Sequence, residues 1–549
     1  MAYDLVIRNA RVIDGSGMPS FHGDVGVTGG KIVDTGKLTG VARRTIDAGG
    51  RVVSPGFIDP HTHMDLFVKL YPTGLPVVNY GVTTIVIGDC GASVAPVPQD
   101  QASLDILVTY LRRVLDNYVD PDAFEWTTFG DYLDYLEGKV GINLAALMPH
   151  SPTRLVVMGE ESMQRAATPT ELRAMVDLVT EGWDVGAVGF STSPLGGPLI
   201  HANTPSAFAD LNEMVTLARA VVDKGGLYQA NVAGTILNSE SMLSAVTEQV
   251  GGTYVLNEWR HYTSDDPGVV ADMQSAMEGL TARGRAAYGV VIPYQHVARC
   301  GAMDFLPLVG LDEWQALPQE PAAFAQALHD PDRRTRLATA AASHGPAQRW
   351  ASCVIRETGN PADQRFEGRN VLDAAASTGR SALDFALDLL ARNPDSARFV
   401  CWGHRANGDP GRLANMIQSP RSVIGTDAGA HTDAFFFYGA PAKLLGHWSR
   451  EKELLTLEAA VHKLTGFPAQ VLGINRGVLA EGRPADLVMF DPSTIGDGMN
   501  GELPPDVIDA HELERACEGI DLVVVNGKVA VESGTVTGDA VGRVRRWEL

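Results

Sequence analysis

Nowhere in these 549 residues does an uninterrupted apolar run reach the roughly 18 positions a membrane-spanning helix needs, so no membrane partner is expected. Basic clusters are missing too. Lys and Arg total 44 against 66 Asp and Glu, a net charge of −22, and no Lys/Arg-rich stretch offers a surface to track phosphates. Nucleic acid is therefore excluded as an expected partner. Cysteine is scarce: Cys90, Cys300, Cys353, Cys401 and Cys517 are odd in number and widely scattered, which argues against a disulfide framework in so long a chain. The opening "MAYDLVIRNARVIDG" lacks the basic-then-apolar order of a secretory signal, and the chain reads as cytoplasmic. Short-period repeats and low-complexity tracts are absent as well. What remains, 45% apolar and 20% charged residues, is the composition of a globular enzyme with a large core.

The first 55 residues alternate Val/Ile runs with glycine turns, as in "DLVIRNARVIDGSG" and "DVGVTGGKIVDTG", the pattern of hairpins in a small sheet. The same idiom returns near the other end in "ADLVMFDP" and "DLVVVNGKVAVESGTV", where Asn526-Gly527 is a strong hairpin signal. Between the ends, short apolar strands alternate with helical stretches, the signature of βα units around a parallel sheet. Nine candidate strands can be counted: "RVVSPGFID", "VTTIVIGDC", "INLAALMP", "VGAVGFSTS", "GLYQANV", "TYVLNEW", "AAYGVVIP", "ARFVCWGH" and "SVIGTDA". A closed barrel takes eight. The surplus one is expected to be "ARFVCWGH", because a helical insertion over about residues 298–395, carrying Trp314 and Trp350, precedes it as a lid or side subdomain.

If "VVSPGFID" is the first barrel strand, His61 and His63 lie two apart, and period-2 geometry points both the same way at its C-terminal end. That end is the active face of a barrel. Such a pair is by itself commonly two unrelated loop residues; the strand before it, and the break at Pro55-Gly56, favour a shared divalent metal, usually zinc. Cys90, in the small turn closing the second strand, offers a soft ligand, or is a buried free cysteine. Asp427, ending the last strand, either reaches over the barrel mouth or caps the next helix. Closure makes the first and last strands neighbours, which brings these groups together.

With these residues in view, the chain resembles the amidohydrolase superfamily and, within it, the D-aminoacylase (N-acyl-D-amino-acid deacylase) group. The likeness rests on "GFIDPHTHMD", "GVTTIVIGDCGASVAP", "GAVGFSTS", "FEGRNVLDAAASTGRSALDFALDLL" and "VIGTDAGAH", and on the terminal motifs, in family order to about residue 543. It implies a distorted (β/α)8 TIM-like barrel (56–474, with the insertion) plus a small β-sandwich built from both termini (1–55 and 475–549). It also implies metal ligation by His61, His63, Cys90 and Asp427, with Asp427 as proton shuttle.

Departures from the family pattern fall on two strands. Deacylases of this group carry a histidine on the fifth strand in an "SH-R"-like motif and another on the sixth in "SHHK"; here "GLYQANV" offers Gln229 and Asn231, and "YVLNEWRHY" offers Asn257, Glu258 and Arg260. One zinc ion is favoured and a second left open, with Glu258 as a substitute oxygen ligand and His261 within swinging distance. Arg260 stands where the family places a lysine and suits a substrate carboxylate by bidentate pairing. Asn231, Gln229, His150 and His431 complete the candidate substrate contacts, while Arg154, His404 and Arg405 either line the cavity or stabilise βα loops. The aromatic run "AFFFYG" at 434–439 reads as core or lid packing.

The expected reaction is metal-dependent hydrolysis of an amide C–N bond in a small-molecule substrate, as in an N-acyl-D-amino-acid deacylase, with a metal-activated water and Asp427 as general base and acid. Two alternatives stay open. One keeps the barrel but cleaves a cyclic amide, a lactone or, as a decarboxylase, a C–C bond; the other is an inactive scaffold. Homo-oligomer formation is left open by the sequence.

Overall fold

The computed structural model describes residues 3–114, 119, 122, 124–193, 204–231, 243–261, 268–303, 305–308, 311–318, 320–342, 348–402, 407–429, 437–498, 516–538 and 541–544. Eight parallel strands form the barrel: Phe57–Asp59, Val82–Ile87, Asn143–Pro149, Gly189–Thr192, Leu227–Asn231, Thr253–Asn257, Ala286–Val291 and Ser422–Ile424. They neighbour one another in sequence order. The ring is completed by a parallel bridge between Thr62 and Ala428 just beyond the first and eighth strands. Their alternation follows the pleat. Ile58, Val86, Ala145, Leu147, Val255, Val290 and Val423 gather in one apolar cluster, joined by Ala469, Val471 and Leu472 of the helix Gly466–Leu472. The alternate positions Ile85, Ile87, Leu144, Ala146, Met148 and Leu256 belong to the large outer cluster that packs on the helices.

A separate nine-stranded sheet takes strands from both ends of the chain. Leu487–Phe490 pairs antiparallel with Val52–Pro55, which lies parallel to Tyr3–Val12, so the two ends meet along this seam. Asn526-Gly527 does turn a hairpin, between Ile520–Val525 and Lys528–Glu532; both turn residues sit in the left-handed region, at φ 49° and 82°.

One strand reading needs correction and another holds. "VVSPGFID" is two strands rather than one: Val52–Pro55 belongs to the terminal sheet and only Phe57–Asp59 to the barrel. Gly56 is the junction, and a β-carbon there would meet Thr83 Oγ1 at 2.1 Å, so the Thr83 side chain leaves no room for one where the chain passes between the sheets. "ARFVCWGH" is indeed surplus to the barrel, because Arg398–Trp402 is the middle of a three-stranded antiparallel sheet with Val297–Gly301 and Cys353–Glu357. The segment read as helical thus also carries strands. It has its own core, with Phe305, Trp314, Phe324, Phe385 and Phe399 buried together. Within that sheet Cys353 and Cys401 stand directly opposite and form a disulfide, against the expectation from cysteine scatter. Among the described residues no helix is long and apolar enough to cross a membrane.

Candidate metal centre

His61 and His63 follow the first barrel strand directly, and the backbone of the eighth strand's end holds them. His63 N donates to Ala428 O at 2.7 Å, and Asp427 N donates to His61 O at 3.0 Å. This ladder places the Asp427 carboxylate 3.5 Å from Nε2 of each histidine. Asp59 reinforces it: Oδ1 accepts from His61 N at 3.2 Å and from Thr426 N at 3.1 Å, while Oδ2 accepts from the Thr426 hydroxyl. From the second strand's end, Cys90 Sγ approaches His61 Nε2 at 3.6 Å, and one ligand atom from each of His61, His63 and Cys90 lies within 4.8 Å of the others. All four side chains are buried.

The turn that presents Cys90 is built around its backbone. Gly88 and Cys90 adopt φ of 80° and 56°, Ser193 Oγ donates to Cys90 O at 2.6 Å, and Gly91 N donates to Ser191 Oγ at 3.0 Å. Asp427 and Glu258 share this left-handed backbone, at φ 57° and 53°. Three residues at barrel strand ends thus hold a conformation uncommon outside glycine and asparagine.

His61, His63 and Cys90 form a group that could hold a metal ion, and the Asp427 carboxylate stands beside both histidines of it. At ordinary zinc bond lengths, neighbouring nitrogen and oxygen ligands stand about 3.3 Å apart, and nitrogen and sulfur about 3.6 Å. The contacts here are 3.5, 3.5 and 3.6 Å. Burial holds the His61 imidazole down to about 4 despite the nearby Glu258 charge, so its ring is neutral, the form that binds metal. Burial, and then the Glu258 charge, push the Asp427 carboxyl well above the usual carboxylate range. The Cys90 thiol is raised by burial and by the Asp89 and Asp427 carboxylates; a cation beside it reverses that logic.

Around this group stand the other sequence candidates. Asn231 Nδ2, at the end of the fifth strand, donates to Cys90 Sγ at 3.4 Å, and Asn257 Nδ2, ending the sixth, does so at 3.6 Å. Gln229 is buried, its amide 3.5 Å from Pro60 O. Glu258 is nearly buried and pairs with Arg260 through Oε2 and with His296 Nε2 at 3.3 Å through Oε1. Burial works against its ionised form, yet the Arg260 charge and then His296 hold its carboxyl below the usual range. His296, missed in the sequence, lies beyond the seventh strand in "VVIPYQHVA"; its signal was its place past a barrel strand end.

Other candidates lie apart. His150 is fully buried with both ring nitrogens taken, Nε2 by Glu213 Oε1 at 2.9 Å and Nδ1 by Thr192 Oγ1 at 2.7 Å, leaving neither for a substrate. Arg154 joins the same Glu213 carboxylate. His261 does not swing toward the centre: its Nε2 accepts from Asp409 N at 3.1 Å. His431, His404, Arg405 and residues 434–436 of the aromatic run lie outside the described residues. Phe437 and Tyr438 pack on Tyr294 and Tyr80, respectively.

A model of the amidohydrolase family matches residues 44–531. The chain is 30% identical over 555 residues to a D-aminoacylase of Alcaligenes xylosoxydans xylosoxydans, covering 99% of this chain and 97% of that one. A solved D-aminoacylase, described in terms of its binuclear metal center, superposes with a TM-score of 0.72 at 26% identity, over 99% of this chain and 100% of that one. An N-acyl-D-glutamate deacylase from Bordetella bronchiseptica, complexed with zinc and a phosphonate inhibitor, does so at 0.70 and 26%, over the full length of both. With the barrel and its strand-end donors, these matches settle the class: the chain belongs to the amidohydrolase family. It is an enzyme acting on carbon–nitrogen bonds other than peptide bonds, and it is similar to D-aminoacylases.

Proposed function

We propose that the chain is a metal-dependent deacylase of N-acyl-D-amino acids. The observation that carries this reading is the convergence of His61, His63 and Cys90 from the first and second strands, with the Asp427 carboxylate of the eighth 3.5 Å from both histidines. These four residues would hold one zinc or similar ion, with Glu258 engaged by Arg260 and His296 instead of serving as a ligand. A solved D-aminoacylase is described as showing one-metal activation and second-metal attenuation, which supports a single working ion.

When bound, such an ion supplies Lewis acidity, lowering the pKa of water toward neutrality and polarising the scissile carbonyl. Asp427 takes the proton from the attacking water and returns it to the leaving nitrogen, which breaks the C–N bond and releases carboxylic acid and free amine. Its carboxyl, raised by burial, is a stronger base once ionised than an exposed aspartate and a competent acid afterwards. Arg260 binds the substrate's α-carboxylate by forked hydrogen bonds, exchanging or sharing its Glu258 partner. Asp59 and Thr426 keep the histidines and Asp427 in register throughout.

The test is a panel of N-acyl-D-amino acids, their L-enantiomers, cyclic amides and lactones, assayed for free amine and acid. Release of D-amino acids above all others is expected. Turnover confined to cyclic amides or lactones would overturn the deacylase assignment.

A further inference from the structure

We infer that Asn231 and Asn257 cap the far side of Cys90 as hydrogen-bond donors and thereby limit this centre to a single cation. The inference rests on the metal-centre reading above and goes beyond it by giving the two asparagines a role.

The geometry is that of one sulfur shared among three strands. His61 Nε2 meets Cys90 Sγ at 3.6 Å, while Asn231 Nδ2 and Asn257 Nδ2 meet it at 3.4 and 3.6 Å. Asn231 and Asn257 are register partners at the ends of the fifth and sixth strands, so their side chains emerge on one side of the sheet as a pair. Both are buried, 6% and 0% exposed.

An amide nitrogen donates hydrogen bonds but cannot ligate, because its lone pair is delocalised into the carbonyl. With both nitrogens turned to Cys90, the amide atoms that meet this face of the sulfur are N–H donors and not ligands. The opposite rotamers would set two carbonyl oxygens against the sulfur, acceptor facing acceptor. Oδ1 of each asparagine is buried with no hydrogen-bond partner among the described residues, so the sulfur contact sets their orientation. A sulfur that accepts two N–H bonds while touching one cation has little electron density left to bridge a second. Neighbours of this kind tune a metal ligand without binding the metal themselves.

Metal content and cobalt spectra test this without relying on turnover. Wild-type protein dialysed against excess Zn2+ is expected to retain one ion per chain by elemental analysis, and Asn231→His/Asn257→His two. Loaded with Co2+, the wild type is expected to show a near-ultraviolet thiolate-to-cobalt band that Cys90→Ser abolishes and Asn231→Ala shifts, since one hydrogen bond to the sulfur is gone. Two ions in the wild type, a folded double-histidine variant that stays at one, or an unmoved band in Asn231→Ala would overturn the asparagine role alone. A wild type that retains no ion would overturn the metal-centre reading itself.

Discussion

Asp59 and Thr426, 367 residues apart in the chain, are joined by two hydrogen bonds, amide nitrogen to Oδ1 at 3.1 Å and hydroxyl to Oδ2. Because Asp59 Oδ1 also accepts from His61 N, one buried carboxylate ties the histidine segment of the first strand to the Asp427 segment of the eighth. Burial pushes that carboxyl up to about 7, against the lowering pull of Thr426 and His61, so the position is costly to keep. Asp59→Ala is expected to weaken zinc binding about 10–100-fold, the usual effect of losing a partner that orients ligands. Competition with a chromophoric chelator measures this, and unchanged affinity would mean that the barrel seam holds the ligands unaided.

Glu213 illustrates a stability role read from geometry. Its carboxylate is buried between His150, Arg154 and the Ala167 amide. Burial opposes its ionisation, yet His150 and Arg154 hold it down to about 2, against an ordinary 4.5. A depressed carboxyl contributes stability fully above the unfolded value, and that contribution fades as pH falls from 4.5 toward 2. The gap corresponds to about 3 kcal/mol. Glu213→Gln also strands the buried Arg154 charge, so at pH 7 a loss of about 3–5 kcal/mol is expected. Denaturant midpoints at pH 7 and pH 3 check it: the gap between wild type and variant should narrow at the lower pH.

Gly56→Ala tests the crossing where the terminal sheet passes into the barrel. The added methyl would overlap Thr83 Oγ1 and Cγ2 at 2.1 and 2.3 Å, and neither belongs to a long flexible chain. Overpacking of this kind costs about 1–3 kcal/mol. The expected result is a lowered melting temperature with the metal stoichiometry of surviving folded protein unchanged.

Arg260 is predicted to read the substrate carboxylate. Arg260→Ala should raise KM for N-acyl-amino acids about 10–100-fold, as expected for a lost charge-assisted hydrogen bond of about 1.5–3 kcal/mol. The matching carboxamide substrates, poor for the wild type, should be affected little. Equal losses on both would assign Arg260 to positioning Glu258 instead.

Much of this centre was legible in the chain because its residues lie where strands end. A two-residue spacing after a β run placed His61 and His63 on one side, and turn residues around Cys90 and Asp427 marked strand termini. What the sequence hid was pairing between distant segments. "VVSPGFID" reads as one apolar run, and only the partners of its two halves, Leu487–Phe490 and Val82–Ile87, reveal a change of sheet. Arg398–Trp402 has the same local pattern as a barrel strand, and its antiparallel partners lie up to about a hundred residues earlier. His150 looked available at a strand end, but Glu213, 63 residues later, claims it. Periodicity reports which side a residue faces and says nothing of which distant group meets it there.

The claim on which the account depends is that His61, His63, Cys90 and Asp427 hold a cation needed for hydrolysis. It is tested most directly by removing metal with a chelator, verifying the loss by elemental analysis, and assaying an N-acyl-D-amino acid before and after adding back one equivalent of Zn2+. The account predicts turnover falling to background and returning with the first equivalent. Full turnover by verified metal-free protein would contradict it.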